Sequence, residues 1–256
     1  MLENRIKQKM ADGQAVYGIY LQWACPDLVE FFGHLGFEWV FIDAEHGIIG
    51  RESCADLVRA CHVTGMTPVV RVPENNVGTI LGYLETGALG IIVPHINTAA
   101  DARAAVDAVK YAPIGRRGAG STTRAANYGL TQTPSEYFHQ ANEAVLVSAL
   151  VEEIEGVNNL AEILAVEGVD IVGIGPGDLS MSMGLPGQPN HPAVRKLVDA
   201  AEARIAASGK TLDAVVTTAD QAREAVSRGA LMVAMSVASL LSGAGRTFLR
   251  EVQSTR

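Results

Sequence analysis

A closed barrel of eight parallel strands, each followed by a helix, is the fold this sequence predicts, and three observations lead there. Short apolar runs of strand length recur along the chain, about eight in all, and most precede an amphipathic stretch with Ala, Leu, Glu and Arg at helical spacing. The runs are apolar nearly throughout rather than alternating, the pattern of strands buried on both faces under covering helices. The length, 256 residues, matches the ~250 typical of a (β/α)8 TIM barrel. An open doubly wound sheet is the second reading.

In order, the runs are AVYGIYL from Ala15, WVFID from Trp39, PVVRV from Pro68, ALGIIVP from Ala88, AVLVSALV from Ala144, VDIVGIG from Val169, LDAVVT from Leu212 and ALMVAMSV from Ala230. Helices are expected at Pro26 to Leu35, Arg51 to Thr64, Asn76 to Glu85, Thr98 to Tyr111, Gly156 to Ala165, His191 to Ser208, Ala219 to Arg228 and Leu240 to Val252. Asn97 and Thr98 suit a helix cap, and Pro192 suits a first turn. Two segments fall outside the repeat: Ala112 to Gly129, rich in Gly, Arg and Thr, and GPGDLSMSMGLPGQPNHP from Gly175. Both are expected to be loops able to cover the catalytic face. No linker-like stretch divides the chain, so residues 1–256 are read as one domain.

Composition excludes several function classes. With 48% hydrophobic and 19% charged residues the chain is too apolar for disorder. Lys plus Arg number 20 against 28 Asp plus Glu, a net charge of -8, and no basic run could track a phosphate backbone, so nucleic acid is not an expected partner. The polar start MLENRIKQKMADGQ lacks the apolar core of a signal peptide, and no stretch is long enough to span a membrane, so the expected location is cytoplasmic. Cys25, Cys54 and Cys61 form no CxxC pair and read as small core residues.

Catalytic groups in a barrel of this kind lie where strands end. Asp43, Glu45 and His46 follow the second run, Arg71 ends the third, Glu152 ends the fifth and Asp178 lies beyond the sixth. Carboxylates at the ends of apolar strands need a compensating cation, so Glu152 and Asp178 suggest a shared metal; with oxygen donors alone Mg²⁺ or Mn²⁺ is favoured over zinc. The alternative is that Glu152 pairs with an arginine and Asp178 caps a turn. His46, beside Asp43 and Glu45, has the setting of a general base, or is a loop histidine with a satisfied hydrogen bond. His95 also follows a strand and is a weaker candidate. The planar fork of Arg71 suits a carboxylate or enolate oxygen, or a structural ion pair with Glu45 or Glu85. None of the five lysines stands at a strand's C-terminal end, so a Schiff-base mechanism lacks a nucleophile. GRRGAG from Gly115 and GIGPGD from Gly173 are neither Walker loops nor dinucleotide fingerprints.

The segments FIDAEHG at Phe41, PVVRVP at Pro68, GALGIIVPHINTAADARAAV at Gly87, YAPIGRRGAG at Tyr111, LVEEIEGVNNL at Leu150 and GVDIVGIGPGDLSMSMG at Gly168 together resemble the metal-dependent class II pyruvate aldolases of the HpcH/HpaI family. The resemblance runs over nearly the whole chain. It implies Glu152 and Asp178 as ligands of a divalent ion (Mg²⁺ or Mn²⁺, with Co²⁺ as a further option), His46 as base, Asp43 as its orienting carboxylate and Arg71 as the stabiliser of an enolate. Backbone amides around Gly177 and Asp178 would receive the pyruvate carboxylate. Glu152 is chosen over Glu153 and Glu155 because Asn159 and Leu160 then fall at the family's spacing. Leu150 departs from a frequent glutamine, and Ala44 to Gly47 replace Gly-Glu-His-Ala. The implied activity is reversible cleavage of 4-hydroxy-2-oxoacids to pyruvate and an aldehyde: succinic semialdehyde, tartronate semialdehyde, lactaldehyde or glyceraldehyde. A homo-oligomer, trimer or hexamer, with a C-terminal helix at about 238–254 exchanged between neighbours, is the implied assembly. Rival readings are an acyl-CoA lyase, with Arg116, Arg117 and Arg124 as phosphate partners, and a non-catalytic 2-oxoacid-binding barrel.

Overall fold

The computed structural model describes residues 3–253. Eight strands, β1 (Val16–Leu21), β2 (Trp39–Asp43), β3 (Thr67–Arg71), β4 (Gly90–Val93), β5 (Leu146–Val151), β6 (Ile171–Ile174), β7 (Thr211–Val216) and β8 (Ala230–Ser236), close into a barrel in sequence order. Every neighbouring pair is parallel, β8 with β1 included. The helices are α1 (Arg5–Ala11), α2 (Pro26–His34), α3 (Arg51–Thr64), α4 (Val77–Leu84), α5 (Ala99–Val109), α6 (Pro134–Ala144), α7 (Ile154–Asn158), α8 (Leu160–Leu164), α9 (Pro176–Ser182), α10 (Pro192–Ala207), α11 (Ala219–Ser227) and α12 (Val237–Gln253). The closed barrel is the architecture the sequence predicts, and the second reading, an open doubly wound sheet, falls away.

Two apolar layers follow from strand alternation. Side chains at Ile19, Val40, Val70, Ile91, Val147 and Val172 meet the helices, and Val16, Trp39, Phe41, Val69, Ile92, Leu146, Ile171 and Met232 fill the barrel. All residues of β2, β3, β4 and β5 are buried, so their unbroken apolar runs have the expected cause.

Departures from the expected elements have local reasons. The polar N-terminal stretch folds as α1, whose Ile6 and Met10 join the barrel's interior cluster, and Asn4 pins it by donating to the carbonyls of Leu89 and Ala144 at 3.0 and 2.7 Å. The helix expected from Gly156 breaks in two at Asn159, whose amide donates to the Asn97 carbonyl at 2.9 Å. Thr98, not Asn97, caps α5, in a reciprocal capping box with Asp101. Pro192 takes the first turn of α10. Ala112 to Gly129 joins α5 to the β5 side of the chain and so lies at the N-terminal end of the barrel; it does not cover the catalytic face as expected. The GPGD segment follows β6 and does lie at that face, with Pro189 and Asn190 on the cavity wall.

Coverage is thinnest around β7, β8 and β1. An apolar groove of 520 Å³, lined by Tyr17, Phe37, Val216, Val233, Met235 and Leu240, runs where a covering helix would lie. α12 does not fill it; only Val237 of that helix is buried, and Leu241, Phe248, Leu249 and Val252 are exposed. Position 254 of the expected C-terminal helix lies outside the described residues.

Candidate active site

A 720 Å³ cavity opens at the C-terminal ends of the strands, and His46, Arg71, Glu152, Gly177 and Asp178 all line it. Asp43, which does not line it, lies directly beneath. It is the last residue of β2 and the register partner of Arg71, the last of β3. Strand pairing thus delivers a carboxylate and a guanidinium side by side.

The pair is bidentate: Arg71 donates from Nε to Asp43 Oδ1 at 2.9 Å and from Nη2 to Oδ2 at 2.8 Å. Tyr20 and Gln22 donate to Oδ2 at 2.6 and 3.2 Å, and the backbone amides of Glu45 and His46 donate to Oδ1, each at 3.2 Å. Asp43 is fully buried. Burial pushes its carboxyl up, but the Arg71 hydrogen bonds and charge outweigh this, and the group is held below the ordinary carboxylate value. The same partnership holds Arg71 above its ordinary value against the opposing effect of burial. Burial, reinforced by Asp43, pushes the Tyr20 phenol up.

This corrects one expected role. Asp43 does not orient the His46 imidazole; its oxygens are committed to Arg71, Tyr20, Gln22 and backbone amides, and it reaches His46 only through the main-chain amide. What Asp43 holds in place is the turn that carries His46, and the guanidinium. The imidazole is half exposed at the rim, with Nε2 4.0 Å from Glu45 Oε2. Glu45 Oε2 also stands 3.1 Å from Arg71 Nη1, an ion pair without hydrogen-bond alignment that leaves this buried oxygen without a hydrogen-bond partner. Arg71 therefore has the structural ion pair with Glu45 that sequence allowed, and faces the cavity as well.

Glu152 enters the cavity one residue beyond β5 and is buried, 2% exposed. Glu153 is partly exposed and Glu155 exposed, so only the first of the three candidates turns inward. Gly175, just beyond the end of β6, makes room: a methyl group there would lie 2.6 Å from Glu152 Oε2. The His95 amide donates to Glu152 Oε1 at 3.0 Å, from a residue held at φ 54°. Burial pushes the Glu152 carboxyl up to about 6, the His95 hydrogen bond opposes this, and the charges of Glu45 and Asp178 add to it. A buried carboxylate with no arginine or lysine partner, near a second carboxylate, fits a hard divalent cation. Glu45, His95 and Glu152 form a second possible donor set, each offering an atom within 4.8 Å of the others.

His95 and Glu45 are the residues that sequence reasoning undervalued. His95 Nδ1 lies 3.5 Å from Glu152 Oε1 and 3.2 Å from Glu153 Oε1, and Nε2 lies 3.5 Å from Glu45 Oε1. Its place after the fourth apolar run was the available signal. The remaining four histidines lie elsewhere: His34 ends α2, His62 bonds Arg124, His139 pairs with Glu143, and His191 caps α10. Lys110 is buried and donates to the carbonyls of Asn142 and Val145, away from the cavity.

The arginines considered for an acyl-CoA tail are at the wrong end. Arg117 and Arg124 line a separate pocket with Gly65, Met66 and Thr67, at the start of β3. Arg117 stacks on Tyr111 and pairs with Glu85, Arg124 donates to the Thr86 carbonyl, and Arg116 pairs with Asp107.

Comparison with known proteins agrees with this geometry. The family model described as HpcH/HpaI aldolase/citrate lyase matches residues 16–242. The chain is 33% identical over 242 residues to a 2-keto-3-deoxy-L-rhamnonate aldolase of Escherichia coli, covering 94% of this chain and 90% of that one. It is 36% identical over 235 residues to a hydroxypyruvate/pyruvate aldolase of Pseudomonas aeruginosa, covering 91% and 87%. A crystal structure of an HpcH/HpaI aldolase/citrate lyase family protein from Burkholderia cenocepacia superposes with a TM-score of 0.92 at 30% identity, over 98% of this chain and 100% of that one. With the matched model spanning all eight strands and the aldolases aligned nearly end to end, this chain belongs to the HpcH/HpaI aldolase/citrate lyase family.

Proposed function

We propose that the chain is a divalent-metal-dependent aldolase that reversibly cleaves 4-hydroxy-2-oxoacids to pyruvate and an aldehyde. The observation that carries this reading is Glu152: a buried carboxylate without an arginine or lysine partner among the described residues, opening onto the same cavity as Asp178 and the fixed guanidinium of Arg71. Glu152 and Asp178 would hold Mg²⁺, Mn²⁺ or Co²⁺, and such an ion supplies Lewis-acid stabilisation of the developing enolate.

The chain's own groups divide the remaining work. The free amides at the start of α9, at Gly177 and Asp178, receive the carboxylate of the pyruvyl unit. His46 at the rim takes the proton of the 4-hydroxyl. The bond between carbons 3 and 4 breaks, its electron pair passes to carbon 3 and the 2-oxo oxygen as an enolate, and the aldehyde departs. Arg71, locked by Asp43, offsets that charge without reorganising, a contribution of about 3 kcal/mol for one well-placed donor. Reprotonation at carbon 3 yields pyruvate. The opposite-end placement of Arg116, Arg117 and Arg124 weighs against the acyl-CoA reading, and the retained rim histidine and arginine weigh against a merely ligand-binding barrel.

Protein stripped with chelator is expected to lose cleavage of 4-hydroxy-2-oxoacids and to regain it with Mn²⁺ or Mg²⁺. Undiminished turnover after stripping, or borohydride trapping of a pyruvate adduct on lysine, would overturn the mechanism.

The bare groove over β7, β8 and β1 and the apolar side of α12 support the exchange of this helix between copies of the chain as a trimer or hexamer. Truncation after Val237 is then expected to give monomers by sedimentation velocity; an unchanged oligomer would refute the exchange. Small-molecule substrates and a second copy of the chain are the partners this reading assigns. Among the described residues no helix is long and apolar enough to cross a membrane.

A further inference from the structure

One carboxyl in the cavity has no part in this reaction. Asp213 is the third residue of β7, between Leu212 and Ala214, whose side chains pack on the helix side; its own points into the barrel. The register that pairs Val172 with Leu212 sets Asp213 beside Gly173 of β6. A methyl group on Gly173 would lie 1.9 Å from Asp213 Oδ1, so the absence of a side chain there gives the carboxyl its room. Burial pushes Asp213 up to about 7, and the charge that adds to this is that of Glu202, of like sign. No side chain among the described residues donates to it or pairs with it.

The charges around it are already matched. Arg71 faces Asp43 and Glu45, Arg195 faces Asp199, and Arg228 faces Asp199, Glu202 and Glu224. Every arginine on the cavity wall thus has a carboxylate of its own, and Glu152 and Asp178 are assigned to the metal. A substrate tail that bears a carboxylate would meet Asp213 with no free arginine to compensate. A hydroxyl, by contrast, can donate to an ionised carboxyl in a short charge-assisted bond. Discrimination by an unpaired like charge is an effective way to reject a near-isosteric ligand.

We propose that Asp213, in the space left by Gly173, is a specificity-determining residue that selects uncharged, hydroxylated aldehydes and disfavours aldehydes bearing a carboxylate. The assignment rests on the aldolase reading and narrows it: lactaldehyde and glyceraldehyde are accepted in preference to succinic or tartronate semialdehyde.

The test uses the full chain loaded with Mn²⁺ at pH 8, with pyruvate as donor and either glyceraldehyde or succinic semialdehyde as acceptor. The wild type is expected to favour glyceraldehyde in kcat/KM. In Asp213→Asn and Asp213→Ser the ratio should move about tenfold toward succinic semialdehyde, through KM for the aldehyde more than through kcat. Two variants of different size guard against misfolding of either, and each is checked by its melting curve. A ratio unchanged in both folded variants, or a wild type that favours succinic semialdehyde, overturns the assignment while leaving the aldolase intact. Absence of turnover with every aldehyde in the wild type overturns the aldolase reading itself.

Discussion

Replacing Arg71 with alanine is expected to lower kcat by about 10²- to 10³-fold, the effect of removing one preorganised donor from a developing oxyanion. It should also destabilise the protein, because Asp43 is fully buried and its two guanidinium hydrogen bonds disappear together. Breaking a buried pair from one side costs about 3 to 5 kcal/mol; the donors left on Asp43 from Tyr20, Gln22 and two backbone amides place this case at the lower end. Lysine at the same position would restore a charge but not the fork, recovering part of the stability and little of the rate.

The pH dependence separates these two effects. The folded Asp43 carboxyl lies below its ordinary value, so it contributes stability that is present above the unfolded value and is lost as pH falls through the folded one. Without Arg71, burial dominates and the carboxyl moves upward, so protonation then favours the folded variant, and its stability deficit against the wild type should be largest near neutral pH and shrink as pH falls. Melting curves between pH 3 and 8, set beside steady-state rates, measure both. A variant as stable as the wild type at pH 8, or with a deficit that does not change with pH, would show that the pair does not hold the site together.

Much of the barrel was legible because its cause is local. Runs such as WVFID and PVVRV are buried on both faces, and a strand in that setting must be apolar at every position, whatever its partners. The carriers of chemistry were legible for the complementary reason: Asp43, Arg71 and Glu152 interrupt or end such runs, where an uncompensated charge would be too costly to desolvate. What was hidden depends on register and on chain direction. That Asp43 and Arg71 are direct partners follows from the pairing of β2 with β3, and this pairing turns the carboxylate toward the guanidinium rather than the imidazole of His46. Asp213 was passed over within LDAVVT because the adjacency that matters, Gly173 on the next strand, is 40 positions away in the chain. The loop from Ala112 was assigned to the wrong end because its composition was weighed and its chain direction was not: it follows α5 and leads to β5, which puts it at the N-terminal end of the barrel, and the helix α6 within that connection went unseen. α6 itself, PSEYFHQANEA, buries only Tyr137, Ala141 and Ala144, too narrow a stripe to stand out as helical periodicity.

Glutamine in place of Glu152 should make the metal-free protein more stable and leave the metal-supplemented protein nearly inactive. The carboxyl titrates at about 6 in the fold against an ordinary 4.5, chiefly because it is buried. Its contribution is therefore favourable below about 4.5 and is lost as pH rises through 6, the reverse of the sign for Asp43. At pH 8 the ionised form carries a penalty of about 2 kcal/mol, which an uncharged amide of the same shape removes while its oxygen still accepts from the His95 amide. Metal inverts the order. A ligand present at about a thousand times its Kd stabilises the folded state by about 4 kcal/mol, and this gain belongs only to a protein that keeps the anionic donor. Melting temperatures taken in chelator and in excess Mn²⁺ should consequently cross: the Gln variant above the wild type in the first, below it in the second. A variant that melts lower in both conditions would mean that Glu152 is an ordinary structural acceptor. The opposite result, parallel gains with and without metal, would move the ion to other residues, with Glu45 and His95 the first to examine.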